Sequence, residues 1–200
     1  MDKREKKQIK DFYNKNAKNP EMKFNKRGRR TEDIARAFRF FKKDNPSVVE
    51  IGCGNGREAE MVLRHTNDYL GIDVSQEMIK LAKKRAPKGR FWTCDVMECV
   101  FPKGADIVFA FASLIHLSRE EVRELLSRIY KNLNPGGIVY LSLKHGKQYK
   151  IIKKDMRGKT VVYPYTPELI QELAGEYFRV VYTDFQERNG TKWFTIILQK

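Results

Sequence analysis

Val48-Val49-Glu50-Ile51-Gly52-Cys53-Gly54-Asn55-Gly56 is a short β-branched run that stops in three alternating glycines. A buried strand that feeds a glycine turn and then a helix is a ligand-binding arrangement. Glycine lets the backbone turn sharply and approach a ligand closely. The helix that follows presents free N–H groups. The spacing narrows the choice. A dinucleotide fingerprint, G-x-G-x-x-G, would place its third glycine at position 57, where Arg57 stands; the third glycine is Gly56 instead. No Gly-Lys-Ser/Thr follows, so the stretch is not a P-loop. Glu50, two residues before the first glycine, is required by neither nucleotide motif.

Downstream, apolar runs alternate with amphipathic segments. Arg57 to His65 has helical periodicity, and Tyr69 to Val74 reads as a second strand. Ser75 caps a helix to about Ala86, closed by Pro87 and Gly89. Arg90 to Cys94 and Ala105 to Phe111 are the third and fourth strands. Ser118 caps a long helix through Leu125, Ile129 and Leu133, and Asn134-Pro135-Gly136-Gly137 stops it before a fifth strand, Ile138 to Leu143. Such alternation predicts βαβ units and a parallel sheet covered on both faces. Thr166-Pro167 opens a helix to about Ala174. Phe178 to Phe185 and Trp193 to Leu198 then flank Arg188-Asn189-Gly190, a hairpin signal. Upstream, Lys3 to Lys18 reads as a basic helix with Ile9, Phe12 and Tyr13 on one side, broken by Asn14, Asn16, Asn19 and Pro20. Thr31 is expected to cap a second helix carrying Ile34, Ala35, Phe38 and Phe41, ended by Asn45-Pro46.

Asp73 ends the second strand, 21 residues after Gly52. A carboxylate at about that distance accepts hydrogen bonds from ribose hydroxyls. A helix-terminal charge beside Ser75 is the plain alternative. Asp95 stands just past the third strand.

Glu50-Ile51-Gly52-Cys53-Gly54-Asn55-Gly56 resembles the first motif of the class I S-adenosylmethionine (SAM)-dependent methyltransferase family, an acidic residue followed by x-G-x-G-x-G. Four further stretches resemble the family in order and spacing: Gly71 to Ser75 around Asp73, Cys94-Asp95-Val96, Asp106 to Phe111 with the loop Ser113 to Leu117, and Leu133 to Gly137. The resemblance implies a Rossmann-like α/β fold: a mostly parallel seven-stranded sheet with a C-terminal antiparallel hairpin and helices on both faces. It implies SAM as cofactor. The turn of Gly52, Cys53, Gly54 and Gly56 would pack on the SAM amino-acid moiety and sugar, with Glu50 helping to hold its ammonium, often through water. Asp73 would take the ribose, Asp95 the adenine amino group, and Val96 would offer its N–H to the ring. Val74, Met78 and Phe111 complete the expected cofactor set. Residues 1–45 are expected to form a basic helical arm or cap, and residues 46–200 the SAM-binding domain.

Methyl transfer is an in-line displacement that depends on alignment, and a base is needed only for a protonated acceptor. His116, after the fourth strand, is the base candidate, against the alternative of a packed histidine. Tyr13, His145 and Tyr165 are the candidates for acceptor contact. His65 reads as a helix-end charge partner.

The 200 residues carry a net charge of +15. It is concentrated: residues 1–30 hold twelve basic and four acidic side chains, and residues 144–159 seven basic and one. Phe12, Tyr13, Phe24, Tyr149, Tyr163 and Tyr165 are interleaved with this charge. An anionic partner is implied. A small anionic acceptor is the leading reading, an RNA- or ribosome-directed methyltransferase the second, and a non-catalytic SAM-fold interaction protein the third. Lys144-His145-Gly146 departs from the Lys-Glu-Gly of some relatives, so substrate identity does not transfer. Three cysteines, Cys53, Cys94 and Cys99, form neither a CxxC pair nor an even framework, so no metal site is expected. With no apolar signal region or spanning run, a cytoplasmic location without membrane contact is expected.

Overall fold

The structure, a computed structural model, describes residues 3–19, 30–155, 158–188 and 190–200. The expected roles of Pro20 and Phe24 fall outside these residues, as does Asn189 of the expected hairpin turn. The chain begins with α1 (Lys3–Asn16) and α2 (Thr31–Phe40), then alternates: β1 (Val48–Ile51), α3 (Ala59–Val62), β2 (Tyr69–Asp73), α4 (Gln76–Arg85) and β3 (Arg90–Thr93). β4 (Ala105–Phe111), α5 (Arg119–Asn132) and β5 (Leu133–Lys144) follow, with a one-turn helix at Leu114–His116 after β4. The last part holds β6 (Ile151–Asp155), β7 (Gly158–Val162), α6 (Pro167–Ala174), β8 (Arg179–Arg188) and β9 (Thr191–Gln199).

Among the described residues, one sheet has seven strands in the order β3-β2-β1-β4-β5-β9-β8. The first five are parallel, and β9 runs antiparallel to both β5 and β8. This is the Rossmann-like methyltransferase fold the sequence implied. Every residue of β1 and β4 is buried, as covered parallel strands require. Alternate residues feed opposite faces. Val49, Ile51, Val108 and Ala110 join one core cluster, while Val48, Ile107 and Phe109 join the other. The strand order reverses between β1 and β4, so the glycine turn after β1 lies at the point where α/β sheets open a crevice.

Helix starts follow local chemistry. The Ser75 side chain accepts from the Met78 N–H, and Thr166 accepts from the Leu169 N–H ahead of Pro167. Ser118 and Glu121 form a reciprocal capping box. Thr31 departs from expectation: it is the first helical residue of α2, and Arg30 takes the cap position without a side-chain cap bond. The Arg30 guanidinium is instead bonded to Asp33 and Ser142. The helix expected over Arg57 to His65 shrinks to α3, because three-residue bonds from Met61, Arg64 and His65 tighten the chain around it. His65 stacks on Phe38, ring centroids 4.6 Å apart. After α5 the Pro-Gly-Gly stop holds, but pairing resumes at once, Leu133 against Ala105.

The C-terminal hairpin closes with Arg188 opposite Thr191, a two-residue connection in which Gly190 has φ +66°. A second hairpin was not expected. β6 and β7 pair Ile151 with Val162 through Asp155 with Gly158, inside the segment that had read only as charge. α1 packs on β7 and α4, so the two basic stretches of the sequence meet across one opening.

Candidate active site

A cavity of about 470 Å³ opens at the carboxyl ends of β1 to β4, a volume suited to a small organic ligand. The glycine turn, the ends of β2 and β3 and the loop after β4 form one side; α1 and the β6–β7 hairpin form the other. Gly52, Cys53, Gly54, Asp73, Val74 and Met78 line it, as do Asp95, Val96, Phe111, His116 and Tyr13. Glu50, Gly56, His145 and Tyr165 are not in the lining.

The glycine turn is shaped by its surroundings. Gly52 has φ +71°, and a Cβ there would stand 2.2 Å from the Ser113 Cβ. Ser113 Oγ donates to the Ile51 carbonyl at 2.6 Å, locking the turn after β1 to the loop after β4. Gly54, at φ +53°, has nothing within 4 Å of an added Cβ, so its backbone faces open space. Gly56 packs on α4, where a Cβ would meet the Ala82 Cα at 2.9 Å.

Two carboxylates flank this turn. Asp73 accepts from the Gly54 N–H at 2.9 Å and the Ser75 N–H at 2.8 Å, one through each oxygen. Burial nonetheless pushes its carboxyl up to about 6. Asp95 accepts from the Met97 N–H at 2.9 Å, and its other oxygen lies 3.6 Å from Lys6 Nζ. β2 and β3 pair Asp73 with Thr93, which brings the two acids to the same sheet end. Glu50 lies one layer beneath, 1% exposed, accepting from the Tyr69 hydroxyl at 2.5 Å. Burial and the neighbouring Glu58 hold its carboxyl well above the usual carboxylate range.

On the opposite side, His116 Nδ1 is 2.7 Å from the Val161 carbonyl. A carbonyl only accepts, so Nδ1 carries the proton and Nε2 is left as an acceptor. The Tyr13 hydroxyl meets Nε2 at 2.8 Å and donates to it. Burial pulls the imidazole below its ordinary range, which keeps it unprotonated at neutral pH. Tyr165 supports this wall from behind: its hydroxyl donates to the Leu117 carbonyl at 2.6 Å, at the end of the His116 turn. His145 packs edge-on against Phe185 and Phe194.

Several lining residues escaped the sequence reading. Arg30 is buried, bonded to Asp33 and Ser142 at 3.1 Å each, 4.0 Å from Glu58, and stacked over Phe111 at 5.0 Å. Lys6 reaches Glu121 at 3.3 Å as well as Asp95. Lys153, Thr160 and Val162 come from the hairpin. Paired Ile151-Ile152 and Val161-Val162 around a glycine were the available signal, masked by the surrounding lysines. Among the described residues, no group of three or more His, Cys, Asp and Glu side chains could hold a metal ion. No helix there is long and apolar enough to cross a membrane.

Residues 48–137 match the family model described as a methyltransferase domain. A trans-aconitate 2-methyltransferase of Delftia acidovorans is 31% identical over 106 residues, 50% of this chain and 39% of that protein. A dTDP-3-amino-3,4,6-trideoxy-alpha-D-glucopyranose N,N-dimethyltransferase of Streptomyces venezuelae is 28% identical over 109 residues, 54% and 46% of the two chains. The chain therefore spans less than half the length of these curated relatives. In fold, magnesium protoporphyrin IX methyltransferase from Synechocystis PCC 6803, solved with bound SAM, matches over 100% of this chain and 98% of its own, TM-score 0.74 at 16% identity. NodS, an N-methyltransferase from Bradyrhizobium japonicum solved with S-adenosylhomocysteine, matches over 96% and 98%, TM-score 0.71 at 14% identity. The sheet order, the glycine turn and the match of residues 48–137 to a methyltransferase domain agree: this part of the chain is similar to class I SAM-dependent methyltransferases.

Proposed function

We propose that this protein is a SAM-dependent methyltransferase acting on a small, anionic acceptor. One observation carries the reading: a single cavity has a glycine turn and two strand-end carboxylates on one side and a neutral Tyr13–His116 pair on the other. The first side fits an adenosyl amino acid. The open backbone at Gly54 leaves room for it. Asp73 retains lone pairs for ribose hydroxyls beyond the two N–H groups it accepts. Asp95 and the Val96 N–H suit the adenine edge, and Met78 supplies an apolar surface for the ring. Arg30, at the glycine-turn side, offers a cation to the amino-acid carboxylate. Glu50 acts through the turn above it and not by direct contact. When bound, SAM supplies a methyl group already activated on a sulfonium.

The other side handles the acceptor. His116 Nε2 takes a proton from a hydroxyl or ammonium acceptor, directly or through the Tyr13 hydroxyl, while Val161 keeps the ring in the required tautomer. α1 covers the cavity and limits water at the reacting atoms. A cavity closed over by α1 favours a small acceptor over a folded RNA. Support for an acidic one comes from the basic rim and from relatives named for trans-aconitate methylation. Calorimetric titration with S-adenosylhomocysteine, followed by radiolabelled methyl transfer from SAM to a panel of small acids, tests the proposal. Micromolar or tighter binding and transfer to an acid are expected. Absence of S-adenosylhomocysteine binding refutes it.

A further inference from the structure

The β6–β7 hairpin is built into the acceptor side of the cavity by contacts from both of its flanks. The Tyr163 N–H donates to the Ile115 carbonyl at 2.7 Å, and the Val161 carbonyl accepts from His116. Lys150 forms an ion pair with Glu5 of α1. Gly158, at φ +135°, lets Phe12 of α1 close on the hairpin turn; a Cβ there would stand 3.2 Å from its ring. The hairpin, His116 and α1 therefore form one wall.

Register then determines what that wall presents. Lys153 pairs directly with Thr160, and Ile151 with Val162. Residues opposite one another in an antiparallel pair share a face, and Lys153, Thr160 and Val162 all line the cavity. Lys153 stands on the acceptor side, exposed at the mouth of the cavity. Its charge reaches His116 and helps lower the affinity of that imidazole for a proton.

We propose that the hairpin is the acceptor's anchoring element: Lys153, with the Thr160 hydroxyl across from it, holds an acid group of the acceptor, a carboxylate or a phosphate. The atom to be methylated then lies against Tyr13 and His116. The proposal rests on the methyltransferase reading and assigns the substrate class to a residue pair. An acceptor of this kind carries its negative charge at one end and a proton-bearing nucleophile at the other.

The test uses the whole chain saturated with S-adenosylhomocysteine and titrated by calorimetry with trans-aconitate, its neutral trimethyl ester and inorganic phosphate. Binding of an acid and not of the ester is expected, and the acid that gives heat identifies carboxylate or phosphate as the group. Lys153→Met should weaken that binding by roughly tenfold or more. Lys153→Arg should restore most of it, Thr160→Val should lose less, and S-adenosylhomocysteine affinity should stay the same in all three. Equal binding by Lys153→Met and the unaltered protein overturns the proposal, as does equal binding of acid and ester, or no heat with either acid. Loss of S-adenosylhomocysteine binding in the unaltered protein is a different result and sinks the underlying methyltransferase reading instead.

Discussion

The two sides of the cavity are built by different means. On the cofactor side the contacts are local and use backbone: Gly54 reaches Asp73 across 19 positions, and Ser75 reaches it across two. On the acceptor side the contacts join distant segments, and many of them are made by side chains. Tyr13 meets His116 across 103 positions, and Tyr163 meets Glu5 across 158. A backbone-built pocket has few substitutes for its parts, because its donors are fixed by the course of the chain. A wall of side chains can exchange them one at a time. The first side should therefore fail all at once, and the second should be tuned in steps.

Four substitutions sharpen or break that contrast. Gly52→Ala should have the largest effect. Its Cβ would collide with Ser113 at a positive φ, which costs about 3 kcal/mol in strain and displacement. S-adenosylhomocysteine binding should be lost by calorimetry, with a lowered unfolding temperature; retained binding would show that the turn is more tolerant than its geometry allows. His116→Ala should come next, leaving cofactor affinity intact while turnover falls by about 10²-fold or more. The pH dependence carries the sign. The imidazole is lowered from 6.5, so the neutral base is fully present above that value. Turnover should fall only as the pH drops below it, and an acid limb centred above 6.5 would reject the assignment.

Asp73→Ala should weaken S-adenosylhomocysteine by about 1–3 kcal/mol, the loss of one charged hydrogen-bonding group. In the unaltered protein the free carboxyl titrates at about 6. Ribose hydroxyls favour its ionised form, so cofactor affinity should rise as the pH climbs through about 6 and level off above it. A flat profile would place the ribose elsewhere. Lys6→Ala should have the smallest effect. Its ion pairs with Asp95 and Glu121 are partly exposed, so unfolding free energy should fall by less than about 1 kcal/mol. A larger loss would mean that the acceptor side is as unforgiving as the glycine turn.

Legibility in the sequence followed the same division. The capping serines, the parallel strands and the Pro-Gly-Gly stop are short-range signals, and each appears where its chemistry puts it. Thr31 is not the cap: Arg30 takes that position, and its guanidinium is held by Ser142 of a far strand as well as by Asp33. The β6–β7 hairpin was hidden because lysines surround its isoleucines and valines, and solvated charge and a half-buried strand look alike in one dimension. Tyr165 and His145 were singled out by type, yet the fold turns Tyr165 toward the Leu117 carbonyl and His145 toward Phe185 and Phe194.

From the chain alone came the sheet, its connections, and the turn with two acids at neighbouring strand ends. These follow from periodicity, capping and glycine spacing, all of which act over a few residues. Only tertiary structure joined α1 to the hairpin, paired Tyr13 with His116, set the imidazole tautomer against Val161 and placed Lys153 beside them. Those relations depend on distances between segments 45 to 103 residues apart, and no local pattern encodes a distance that only packing creates.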